Sequence, residues 1–241
     1  MGDPIHQFHI IPLFTLGHIG PYEIAFTNSA AFMLGAVALI ALLMLGPTSG
    51  RALVPGRLQS MAEMTYEFVA STVRSTAGSE GMKFFPFVFT LFMFILTVNM
   101  IGLIPYTFTV TSHIIVTFAM AGVVFLGVTI IGIARHGFHF LSFFVPHGVP
   151  AVLLLLLVPI EVLSYFIRPF TLSIRLFANM MAGHTMLAIF AGFVTAMGIF
   201  GIIPLGVDVL LIFLELLVAV LQAYVFTILT CLYLRDAIHL H

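Results

Sequence analysis

Two arginines, Arg168 and Arg175, lie inside an apolar run that extends from about Val149 to Phe193. A guanidinium keeps its proton in any protein environment, and a charge at bilayer depth costs on the order of several kcal/mol or more. Within four residues on either side of Arg175 there is no Asp or Glu. A neighbour on the same helix face therefore cannot neutralise it. The counter-charge must come from a distant part of the chain or from another chain.

That this run belongs in a membrane follows from composition. Apolar residues make up 61 % of the chain and charged residues 7 %, with a mean hydropathy of +1.22, far from the globular norm. Several runs exceed the roughly 18 apolar residues that read as a membrane span. The expected fold is an all-α polytopic membrane protein forming a single membrane domain over residues 1–241. A net charge of −1 excludes a basic nucleic-acid surface. The lone Cys231 forms no internal disulfide, and no cationic segment precedes the first apolar run, so no cleavable leader is expected.

Five spans are expected, at about 28–45, 84–104, 113–134, 149–193 and 207–234, after an outer N-terminal segment over 1–27. Gly46-Pro47 stops the first span and Pro105 closes the second, with Asn99 near its end. Arg57 to Ser75 has a helical period. Leu58, Met61, Ala62, Phe68, Val69 and Val73 share one face, and Gln59, Glu63, Glu67, Ser71 and Arg74 the other. Such a helix lies in the membrane interface or packs on a neighbour. The fourth span, at about 1.5 Å per residue, is over 60 Å long, roughly twice the hydrocarbon core. It must tilt, bend or run partly in the membrane plane, with Pro169 as the natural bend point.

Loop charges give an orientation. Arg51, Arg57, Arg74 and Lys83 follow span one, Arg135 follows span three and Arg235 follows span five, whereas 1–27, 105–112 and 194–206 carry no Lys or Arg. With five spans every loop cation falls on one side. That side is expected to be cytoplasmic, leaving the N-terminus outside and the C-terminus inside.

Polar residues in the last two spans are spaced by helical geometry. Glu161, Arg168 and Arg175 recur every seven residues, with Ser164, Thr171 and Asn179 near the same stripe; Asp208, Glu215 and Gln222 repeat the interval on span five. An antiparallel hairpin turning near residue 199 sets Gln222 level with Arg175 and Glu215 level with His184. Asp208 then sits nearer the turn, and Glu161 nearer the far end. Histidine and carboxylate in a low dielectric suit a proton relay. Interhelical glue stands beside that role for Gln222, Asn179 and Thr171, and a snorkelling side chain or a pair with Glu161 for Arg168. His113, at the outer end of span three, reads as an interface residue.

At these residues the chain resembles subunit a of the F-type ATP synthase. Arg175-Leu-Phe-Ala-Asn179-Met-Met-Ala-Gly183-His184 is similar to that family's arginine signature, and Leu221-Gln222-Ala-Tyr-Val-Phe226 to its partner motif on the last helix. Asn99-Met-Ile-Gly-Leu-Ile-Pro105 and Asp3-Pro-Ile-His-Gln-Phe8 are similar to further family segments. Some members carry an acid after the motif glycine and a histidine on the last helix; here His184 and Glu215 hold the exchanged positions. The resemblance implies a non-catalytic, proton-translocating stator subunit without cofactor or metal. Arg175 would face the carboxylates of a c-subunit ring and separate two offset half-channels. Protons would enter past Asp208, His184, Glu215 and Asn179, with Gln222 beside the arginine, and leave near Glu161. Arg168, Thr171 and Ser164 would support this path. Peripheral-stalk b subunits, the rest of the complex and membrane lipid are the other implied partners. An alphaproteobacterium or a mitochondrion could host such a chain, and the unprocessed start favours a bacterial inner membrane.

Two rivals follow from the residues alone. A haem-binding redox subunit needs histidine pairs at matching depth, yet only His113 and His184 lie within spans. A secondary ion-coupled transporter commonly shows internal repeats, and none is evident.

Overall fold

The computed structural model describes residues 10–19, 22–48, 56–104, 107–137, 140, 144–145 and 150–238. The Asp3–Phe8 segment, Arg51 and Pro105 lie outside these. Six long helices dominate: α1 (Asn28–Thr48), α2 (Arg57–Gly81), α3 (Phe85–Gly102), α4 (Ile114–His136), α5 (Ala151–Ala196) and α6 (Ile202–Ile238). Five helical stretches are long and apolar enough to cross a membrane; α2 and α3 together form one of them. The fold is an all-α polytopic membrane protein.

One feature is additional to the sequence expectation. Within the N-terminal segment, β1 (Pro12–Ile19) and β2 (Tyr22–Thr27) form an antiparallel hairpin. It leads directly into α1. Thr27 Oγ1 accepts the Ala30 N–H at 3.4 Å, as an N-terminal cap does.

The helix α2 continues past Ser75 to Gly81, turning at Gly78, where φ is 72° and only glycine is unstrained. Its apolar face divides. Ala62, Val69 and Val73 are buried, while Leu58, Met61 and Phe68 remain exposed. The apolar arc is wider than α3 and α6 can cover, so one flank stays open to whatever surrounds the protein.

The helix α6 occupies the centre, packed by α2, α3, α4 and α5. The largest core cluster joins Val69 and Val73 of α2, Val88 and Ile95 of α3, Val124 of α4, Leu176 of α5 and Phe226 of α6. Asn99 is wholly buried there. Its Nδ2 donates to the Ala219 carbonyl of α6 at 3.3 Å, and its Oδ1 accepts the Thr111 hydroxyl at 3.1 Å. By contrast α5 is peripheral. It packs along α4, α6 and the short turn Val110–Ser112 and leaves the rest of its circumference open. It runs for 46 residues, carrying Pro159 and Pro169 inside it. A short 3-10 turn at Gly198–Gly201 then reverses the chain into α6.

Candidate functional site

Three polar clasps set how α5 is rotated. Ser173 and Thr117 of α4 share a hydrogen bond at 3.1 Å, and Tyr165 meets Thr129 of α4 at 2.7 Å. Arg168 donates to Asp236 of α6 at 3.1 Å, with its guanidinium 5.5 Å from the Tyr165 ring and 5.0 Å from the Tyr233 ring. With Tyr165, Leu172, Ser173, Leu176 and Met180 buried, the opposite flank of α5 is presented outwards. Ser164, Thr171 and Arg175 are exposed on it, among Ile167, Phe170 and Ile174.

The two intramembrane arginines therefore differ in kind. Arg168 has a counter-ion within the chain, and that ion is Asp236 rather than Glu161. Asp236 lies two residues beyond the expected end of span five, which is why sequence reasoning passed it over. Among the described residues, Arg175 takes part in no ion pair and no hydrogen bond. Thr171 spends its hydroxyl on the Arg168 carbonyl at 2.9 Å, so its contact is internal to α5.

Further along the hairpin the second group assembles. His184 Nε2 lies 3.5 Å from Glu215 Oε1, with side chains only 11 % and 5 % exposed. This is the level pairing that the hairpin register requires. Both Glu215 oxygens are buried and accept no hydrogen bond among the described residues. A carboxylate and an imidazole so placed can pass a proton between them. The carboxylate fits only because residue 183 is glycine: a Cβ there would stand 2.6 Å from Glu215 Oε1. A cavity of about 220 Å³ opens beside the pair, lined by Asn179, Gly183, Met186, Leu211, Glu215 and Val218 among others.

The remaining residues are less closely gathered. Asp208 is half-buried, with Oδ1 buried and unpartnered among the described residues, and lies two turns nearer the α5–α6 connection than Glu215. Gln222 is buried two turns the other way, and no hydrogen bond joins it to Arg175 among the described residues. Glu161 is half-buried, fourteen residues before Arg175. His113 stacks on Phe108 with ring centroids 5.0 Å apart, away from the His184–Glu215 pair in sequence and in partner. The structure thus brings Glu215 and Asn179 to one cavity, sets His184 against Glu215, leaves Arg175 exposed, and keeps Arg168 in a separate clasp.

The model of the ATP synthase A chain family matches residues 30–235. A protein of Bradyrhizobium diazoefficiens called ATP synthase subunit a is 62 % identical over 245 residues, covering 98 % of each chain. Proteins of the same name from Rhodopseudomonas palustris strain BisB18 and from Nitrobacter winogradskyi are each 61 % identical over 246 residues, covering 99 % of each chain.

Proposed function

The chain belongs to the ATP synthase A chain family, as a non-catalytic, proton-translocating membrane subunit of that complex, and on that premise we propose that Arg175 is the charge that separates its two half-channels. It is a bacterial membrane protein by its spans and relatives, in this proposal of the inner membrane. The observation that carries the proposal is the contrast between the arginines. Arg168 is neutralised by Asp236 within the chain, whereas Arg175 stands exposed, and unpaired among the described residues, in the middle of a 46-residue apolar helix. A cation at that depth needs an anion. The carboxylates of a rotating c-subunit ring would supply one after another, each held ionised while opposite Arg175 and free to take up a proton once past it.

The half-channels follow from the order of groups along the α5–α6 hairpin. With the cation-rich loops cytoplasmic, Asp208 and then His184, Glu215 and Asn179 line the outer path towards the ring. Gln222 lies near the level of Arg175, and Glu161 marks the inner path. The fixed positive charge blocks direct passage of protons between the two. The ring on the open flank of α5 and the peripheral-stalk b subunits elsewhere are the partners in this arrangement. An independent transporter would have to neutralise Arg175 within its own chain, and the described residues do not.

The test is ATP synthesis in membranes carrying the whole complex with Arg175→Ala or Gln222→Ala. The expected result is assembly of both, loss of coupled synthesis in the first and only impairment in the second. Near-normal synthesis with Arg175→Ala would remove the arginine from the mechanism.

A further inference from the structure

A two-stranded sheet is marginal in water, and among the described residues α1 is the one other element that packs on the N-terminal hairpin to any extent. Yet it carries a dense apolar cluster. Ile10, Ile11, Leu13 and Phe14 are 49 to 57 % exposed, four large side chains within five consecutive residues. Such a patch marks a surface that is covered in the working protein.

Its position names the cover. The base of the hairpin is tied to the first residue of α1 by two hydrogen bonds: the Asn28 N–H donates to the Ile11 carbonyl at 3.1 Å, and the Ile11 N–H donates to Asn28 Oδ1 at 3.2 Å. The helix that starts there is a membrane span whose Leu34, Val37 and Leu42 are exposed, so the patch lies where that lipid-facing surface begins. The apolar run and the stacked pair Phe14–Phe26, with centroids 5.0 Å apart, are at the base; towards the tip His18 faces Glu23, and Ile19 faces Tyr22 beyond them. No Lys or Arg occurs in residues 1–27, so nothing calls for an anionic partner. Apolar and aromatic residues at the root of an element that runs straight into an exposed membrane span are what seating in a lipid interface requires.

We infer that the base of this hairpin is an interfacial anchor, seated among the headgroups and upper acyl chains of the leaflet at which α1 enters. The clasp at Asn28 makes hairpin and helix one unit. The anchor therefore fixes the depth at which α1 starts, and resists α1 sliding along the membrane normal.

Photocrosslinking in the assembled complex tests this. A benzophenone amino acid is placed in turn at Leu13, at Phe14 and at Tyr22, irradiated in native membranes, and the N-terminal peptide is weighed. The expected result is phospholipid adducts at Leu13 and Phe14 at least several-fold more abundant than at Tyr22. Adducts to another polypeptide at Leu13 and Phe14, or lipid adducts no more frequent there than at Tyr22, would overturn the anchor. Hydroxyl-radical footprinting of the unmodified complex in vesicles guards against a label that disturbs the hairpin. Phe14 is expected to be oxidised several-fold less than Tyr22, after allowance for intrinsic reactivity. Equal oxidation would overturn the anchor as well.

Discussion

Gly183 shows how much of the site depends on a single atom. The Glu215 carboxylate occupies the space that a Cβ at this position would need, and among the described residues no hydrogen bond holds that carboxylate in place beside His184, 3.5 Å away. Gly183→Ala should displace it from the imidazole by about an ångström. A misplacement of that size in a proton-transfer geometry is costly, and a loss of about tenfold or more in ATP-driven proton pumping is expected. Pumping by inverted membrane vesicles measures it, with the amount of subunit in the membrane unchanged. The pairing of His184 with Glu215 was legible in the sequence, because seven-residue intervals on both spans and a glycine-rich turn fix the register. The partner of Arg168 was not. Asp236 lies about five residues beyond the position level with Arg168, and only the length of the arginine side chain bridges that offset.

At the scale of elements, α6 is held by what surrounds it, and Asn99 is the polar point of that grip. Replacing Asn99 with leucine removes two buried hydrogen bonds and orphans the Thr111 hydroxyl. A cost of about 1 to 3 kcal/mol is expected, read as a lower temperature for heat-induced loss of the subunit from the purified complex. The clasp at the other end of α6 is worth less. Arg168 and Asp236 are each partly exposed, so Arg168→Ala should cost only about 1 kcal/mol and leave synthesis largely intact, the reverse of Arg175→Ala. Parallel measurements of assembly and synthesis for the two variants check this. The helices themselves could be read from the length of the apolar runs. The hairpin β1–β2 could not: Ile11 and Leu13 alternate with Pro12 and Phe14, all exposed, and the period-2 contrast that announces a half-buried strand is missing.

At the scale of the whole molecule, the chain is a two-sided object. One side of α5 is bolted to α4 and α6, and the other is exposed, the flank on which the proposed function seats the ring. Cysteines at Ile174 and Thr171 are expected to form disulfides with cysteines introduced on the lipid-depth face of the ring, whereas cysteines at the buried Leu172 and Leu176 are not. Electrophoresis of the oxidised complex distinguishes the two sets, and crosslinking from Leu176 alone would show that α5 presents a different flank. Sequence reasoning located the unbalanced charge but not which flank carried it. The rotation is set by hydroxyls of Thr117, Thr129, Ser173 and Tyr165, and single hydroxyls announce no partner in a sequence.

The length of α5 has a consequence for the direction of travel. A rod of 46 residues measures about 69 Å at 1.5 Å per residue. If its ends meet the two faces of a bilayer about 30 to 45 Å thick, it leans by about 50 to 65° from the normal. The nine residues from His184 to Arg175 then span about 10 to 12 Å sideways but only about 6 to 9 Å of depth. On the proposed function, a proton passing between the buried pair and the open arginine gains more ground around the rim of the ring than it does across the membrane. In that arrangement the helix is a gangway rather than a shaft, and a drop in height becomes motion along a circumference.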